Sequence, residues 1–170
     1  MIIVSIISLL LSLFIQGLVS NFQGFTIDNL SIFSAIYLLI TLVVLQPYFE
    51  SDKKFLILIL IFGMLLDITY SNTFILCTCI FVAIFYFNKL LNFFFPYNLF
   101  TVNLFSILSM IIYHVLTFLF LVLLKFDAYS ILVLLKIIAC NIIMTILYTS
   151  VMFLVIEFIY KKFRLKLVKD

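Results

Sequence analysis

FLILILIFGMLLDITYSNTFILCTCIFVAIFYF, residues Phe55–Phe87, is the stretch on which the fold turns. It is apolar throughout except at DITYSNT, Asp67–Thr73. As one straight helix it would be about 50 Å long, well beyond the ~30 Å hydrocarbon core of a bilayer. Broken at DITYSNT, it gives two helices of roughly 15 residues, each short for a full crossing. Charge decides between the two. With two helices the chain has six spans, and both termini can lie in the cytoplasm. Lys53, Lys54, Lys89, Lys161, Lys162, Arg164, Lys166 and Lys169 then all face inward, and Lys125 faces out. With one helix, the 50–54 cluster and the basic tail would lie on opposite sides, against the positive-inside rule. Two helices are therefore expected, with the turn at or just below the outer surface.

The whole chain supports a lipid-embedded reading. Of its 170 residues 68% are apolar and 10% charged, with a mean hydropathy of +1.44. A water-soluble domain averages about 45–50% apolar and about 25% charged. Three Gly and two Pro exclude collagenous or disordered chains. The apolar residues run continuously rather than alternating, which points to helices and away from a membrane β-barrel. Nucleic-acid binding, secreted disulfide scaffolds and soluble enzymes are poor fits, and the formal charge of +3 is small.

One domain, 1–160, is expected to be an all-α integral membrane bundle. Its spans fall at about 2–20, 31–48, 55–69, 73–88, 101–124 and 130–158, and residues 161–170 form a basic cytoplasmic tail. The opening MIIVSIISLLLSLFIQGLVS has no basic residue in front and no small-residue cleavage site, so it reads as a retained helix. Neither an N-terminal myristoylation start nor a C-terminal prenylation box is present. The loop LLNFFFPYNLF (Leu90–Phe100) is too apolar for water, and belongs in the interface plane or under another protein. Tyr48, Tyr70, Tyr97, Tyr129 and Tyr160 fall at span ends, as an aromatic belt at headgroup level would.

The few polar residues inside the spans are arranged in stripes. Ser5, Ser8, Ser12 and Gln16 lie on one face of the first helix. Asn103, Ser106, Tyr113 and Thr117 do so in the fifth, with His114 beside them, and Asn141, Thr145 and Thr149 in the sixth. Helix–helix association in lipid uses such residues, and a solute path along them is the sharper alternative. Asp67 lies about 18–20 Å along its helix from Phe55, where a carboxylate is expensive and must face protein or water. It caps the turn into the next helix, contacts a partner helix, or couples to ions. Gly63, one turn earlier, allows another backbone to come close.

Other polar residues carry less. Lys136 can snorkel outward toward Asp127, and Glu157 precedes Lys161 in the favourable order for a helical ion pair. Cys77, Cys79 and Cys140 read as packing residues, the CxC pair pointing to different faces. No catalytic set, metal-ligand cluster or phosphate loop is present, so no enzymatic activity, metal or cofactor is expected.

At FGMLLDITYSNTFIL (Phe62–Leu76) the sequence resembles the MreD family, the small membrane subunit of the bacterial rod-shape machinery. The resemblance rests on Gly63 and Asp67 in a G-x-x-x-D relation, then Tyr70, Ser71, Asn72 and Thr73 in a polar turn before another apolar helix. Pro47 with its polar cluster, Tyr113, Asn141 and the basic C-terminus agree in outline. Where that family commonly has a second turn glycine, this chain has Asn72-Thr73. The resemblance implies a non-enzymatic protein of the bacterial inner membrane that binds MreC, a single-span partner. Through MreC it would connect indirectly to MreB, RodA and a class B penicillin-binding protein. It also implies a fold similar to the S-components of energy-coupling-factor transporters, so a vitamin-binding transporter subunit is the alternative function. Gly63, Asp67, Tyr70, Asn72, Tyr113, His114 and Asn141 are the partner-interface candidates.

Overall fold

The computed structural model describes residues 2–21, 26–27, 30–31, 36–49, 51–71, 75–123 and 131–162. They form six helices: α1 (Ile2–Asn21), α2 (Tyr37–Leu45), α3 (Asp52–Leu66), α4 (Leu76–Phe94), α5 (Leu99–Leu123) and α6 (Ile131–Lys162). A two-residue antiparallel ladder of β1 (Thr26–Ile27) with β2 (Leu30–Ser31) is the only strand pairing among the described residues. Helices α1, α4, α5 and α6 are long and apolar enough to cross a membrane.

Helix α2 organises the bundle. All nine of its residues, YLLITLVVL, are buried, and none of its faces is polar, the pattern of a helix enclosed by protein. It packs against α1, α5 and α6 and touches α4, while the others neighbour one another in the order α1–α3–α4–α5–α6. The expected span 31–48 is thus corrected. Leu30–Ser31 is extended and paired, and the helix begins only at Tyr37. At about 14 Å, α2 is half a bilayer thick. A continuous apolar run does not by itself distinguish helix from extended chain, which is why the sequence over-extended it. Pro47 then closes α2 in a 3-10 turn, Gln46–Tyr48.

Phe55–Phe87 is divided between two helices, α3 and α4, with a π-turn at Asp67–Ser71. The fourth helix runs further than its expected end at 88: Asn88 and Lys89 lie inside α4, which continues to Phe94. Asn88 is buried, and its Nδ2 donates to Ser109 Oγ on α5 at 2.8 Å. Asn98 then caps α5: its Oδ1 accepts from Thr101 N at 2.8 Å, and Thr101 Oγ1 donates to Pro96 O at 2.7 Å.

The polar stripes turn inward. Ser5, Ser8, Ser12, Ser106, Asn141, Thr145 and Thr149 are buried, whereas Ile3, Ile7, Leu10, Leu11 and Phe14 on α1 face out. The tyrosines depart from the expected belt. Tyr48 and Tyr160 are buried and stacked at 4.1 Å, and Tyr97 meets Tyr48 edge-on at 5.5 Å. Tyr97 also donates its hydroxyl to Val44 O at 3.0 Å, satisfying a carbonyl that the end of α2 leaves open. These rings do stand at helix ends, but they close the bundle from within. The side chain of Tyr70 and all of Tyr129 lie outside the described residues.

Lys53, Lys54, Lys89, Lys161 and Lys162 gather at this tyrosine-lined end, with Lys89 paired to Asp52 and Lys161 to Glu157 at 2.7 Å. Lys136 is exposed on the other half of α6, and Asp127, its suggested partner, lies outside the described residues. Replacing Leu38, fully buried in α2, by Ala is expected to cost about 2–4 kcal/mol through the cavity it leaves. Phe93→Ala on the surface is expected to change little. Reversible unfolding in mixed detergent micelles measures both, and equal effects would contradict a central α2.

Candidate functional site

The candidate residues sit where α3 turns into α4 and where α4 meets α5 and α6. Helix α3 stays regular up to Asp67, whose backbone N–H donates to Gly63 O and Met64 O. The π-turn that follows widens the coil and leaves the Asp67 side chain pointing back into the bundle, 1% exposed. Helix α4 starts from Ile75, a β-branched residue held at φ 70, and has no side-chain cap at that position. Its open N–H groups are met from ten residues upstream. Asp67 Oδ1 accepts from Cys77 N at 3.0 Å, and Oδ2 accepts from Thr78 N at 3.0 Å and Thr78 Oγ1 at 2.8 Å. The capping role is therefore the one the geometry displays. A carboxylate at a helix N-terminus also meets the positive end of the helix dipole.

Gly63 belongs to the same junction. A Cβ there would stand 2.9 Å from Thr78 Oγ1 and 3.0 Å from Thr78 Cα, closer than a methyl group can sit. So the close approach that the glycine permits is to α4 of the same chain. Thr78 fills the space beside Gly63 and Asp67. Both residues are buried inside the hairpin and are not on an outer face.

From this junction a line of polar contacts crosses the bundle. Cys77 Sγ lies 3.3 Å from the Tyr113 hydroxyl on α5. The Tyr113 ring meets that of His114 edge-on at 5.6 Å, and Thr117 Oγ1 donates to Tyr113 O at 2.8 Å. His114 Nε2 is 3.4 Å from Asn141 Nδ2 on α6. Lower on the same pair of helices, Asn103 Nδ2 donates to Ser150 Oγ at 3.2 Å. The structure thus brings Gly63, Asp67, Tyr113, His114 and Asn141 into one inner seam joining α3, α4, α5 and α6. The side chain of Tyr70 and all of Asn72 lie outside the described residues. Cys77 is buried and Cys79 exposed, as CxC spacing on one helix requires.

Sequence reasoning missed Thr78, the residue against which both Gly63 and Asp67 pack. A hydroxyl in an otherwise apolar run was its only signal. It also missed Asn88 with Ser109, and Thr41, whose Oγ1 lies 3.1 Å from the Tyr148 hydroxyl. Chemically, the seam supplies fixed hydrogen bonds between helices, each group already engaged by another. Compared with family models, curated proteins and solved structures, the chain matches none of them. The resemblance to the MreD family accordingly rests on the residues quoted above.

Removing the acceptor with Asp67→Ala is expected to cost about 2–4 kcal/mol, because two buried N–H groups lose their partner. Asp67→Asn keeps an acceptor and should cost roughly half as much. Gly63→Ala should cost about 1–3 kcal/mol by overpacking against Thr78. Unfolding midpoints of the purified variants measure all three, and wild-type values for Asp67→Ala would refute the capping role.

Proposed function

We propose that this chain is a non-enzymatic, multi-pass scaffold of the bacterial inner membrane, with both termini cytoplasmic. In this reading it belongs to the rod-shape machinery and binds an MreC-type single-span protein. Through that partner it helps position peptidoglycan synthesis alongside MreB, RodA and a class B penicillin-binding protein. The supporting observation is the contrast between its inside and its outside. Asp67, Cys77, Tyr113, His114 and Asn141 are linked across helix pairs, while the outward residues of α1 and α6 are largely apolar. A molecule of this kind offers its neighbours helix surfaces.

The Gly63–Asp67 region is packed by α4, so the partner helix is assigned to α6, the longest helix. Ile143, Leu147, Val151, Leu154 and Phe158 recur every three or four residues along α6, and each is more than half exposed. Such a stripe is continuous enough for a single transmembrane helix to pack along it. The alternative, a solute-binding transporter subunit, needs convergent free polar groups in a pocket. Here Asp67, Asn103, His114 and Asn141 are each held by another residue of the bundle.

Co-expressed with the single-span MreC-type protein of the same bacterium, the chain should co-purify with it after detergent extraction. Leu147→Trp with Val151→Trp should lower the recovered partner at least about fivefold, whereas Met64→Trp on the outer face of α3 should not. No recovery with the unaltered chain would sink the scaffold reading, and recovery of ATPase subunits with a retained vitamin would establish the alternative. Tags at both termini should be protease-accessible only from the cytoplasmic side; an externally accessible C-terminus would overturn the proposed topology.

A further inference from the structure

At the lysine-bearing end of the bundle, a groove of about 220 Å³ runs between the turn after α2 and the last turns of α4. One part of its lining is apolar, with Pro47, Phe49 and Phe93, and the other is polar, with Asp52, Lys89 and Asn92. Phe93 is 83% exposed and continues into Phe94, 74% exposed, so the apolar part opens onto the outer surface of α4. Lys53 and Lys54 follow Asp52 in the first turn of α3, outside the groove's lining; both are exposed and neither is in an ion pair among the described residues. The scaffold function uses none of these residues.

The charges around this groove do not cancel. Lys89 is matched by Asp52, and by sequence Glu50 offsets one of Lys53 and Lys54, so the segment keeps an excess of one positive charge. A ligand that fits must be anionic at one end and apolar at the other. Its polar end must lie level with the ends of the helices, and its apolar end must pass along an outward phenylalanine. We propose that this groove binds an anionic phospholipid. The headgroup phosphate sits against Lys89 and the neighbouring Lys53–Lys54 pair, and an acyl chain lies over Phe93. Asp52 holds Lys89 at the mouth of the groove, where the incoming phosphate competes with the carboxylate for the ammonium. The inference rests on the chain being membrane-embedded and is independent of the scaffold function.

The test is native mass spectrometry of the full chain in detergent, titrated with phosphatidylglycerol or with phosphatidylcholine of the same acyl chains. Phosphatidylglycerol should be retained about tenfold better. Each lysine near an anionic headgroup is worth about fivefold in binding, so the K53Q/K54Q/K89Q variant should lose the preference. Removing the same charge from the tail with K161Q/K162Q/R164Q should leave most of it. D52N should bind phosphatidylglycerol at least as well as wild type, since it removes a competitor for Lys89. The proposal is overturned if the groove variant binds like wild type, or if the tail variant loses as much as the groove variant. It is equally overturned if millimolar inorganic phosphate displaces the lipid, which would mark a site for the free ion. Flotation with phosphatidylcholine vesicles separates the two possible failures. A chain that floats but shows no lipid preference lacks this site, and a chain that does not float is not membrane-embedded.

Discussion

The fold depends on one carboxylate. Asp67 supplies acceptors for the N–H groups of Cys77 and Thr78 and for the Thr78 hydroxyl. In water these donors would be hydrated at little cost. In an apolar interior each unmet N–H costs several kcal/mol, so a helix that begins inside the bundle needs its first turn satisfied by protein. Ile75, with its left-handed backbone and apolar side chain, cannot act as that cap. The acceptor comes instead from the end of α3, and this determines where α4 starts and how closely it approaches α3. Gly63 follows from the same requirement, because Thr78 can reach the carboxylate only if nothing projects from position 63.

The hairpin made in this way sets up the rest of the seam. Cys77, held by its own N–H, brings its thiol to the Tyr113 hydroxyl and so ties α4 to α5. His114 and Asn141 tie α5 to α6 one step further on. In the membrane setting proposed above, lipid tails are as apolar as leucine, so apolar contact alone would give helices little reason to associate with one another rather than with lipid. A small number of inward hydrogen bonds and close contacts therefore decides which faces meet. The turned-in tyrosines follow the same logic at the lysine-bearing end, where Tyr97 meets the free carbonyl of Val44 and packs edge-on against Tyr48.

Much of this was legible in the sequence, and what was not has a physical cause. Two helices at Phe55–Phe87 were expected from charge, because only a divided stretch lets the lysines at 53–54 and 89 lie on one side with the basic tail, and α3 and α4 do divide it. The inward direction of Ser5, Ser8 and Ser12, and of Asn141, Thr145 and Thr149, followed from spacing and the cost of polar groups in lipid. Helix α2 was misjudged because hydropathy measures how apolar a segment is, whereas its length depends on Leu30–Ser31 pairing with β1 and on four neighbouring helices. The tyrosines were misjudged because a ring at the end of a helix suits headgroups and suits another tyrosine equally well. Thr78 was invisible, since its role exists only once α3 and α4 are in contact.

These differences alter the functional argument as well. A glycine and an aspartate one turn apart are compatible with an open groove for a partner, and equally with a closed hairpin. The contact with Thr78 decides for the hairpin, and the two residues then explain how the bundle is built rather than whom it meets. In the proposed scaffold reading, a partner would accordingly pack on a face the bundle leaves uncovered. On α6 the uncovered residues are apolar along nearly the full helix, while its buried side carries Asn141, Thr145 and Thr149. The helix is thus committed to the bundle through its polar side and left available through its apolar one. A second helix can pack there without displacing a single internal hydrogen bond.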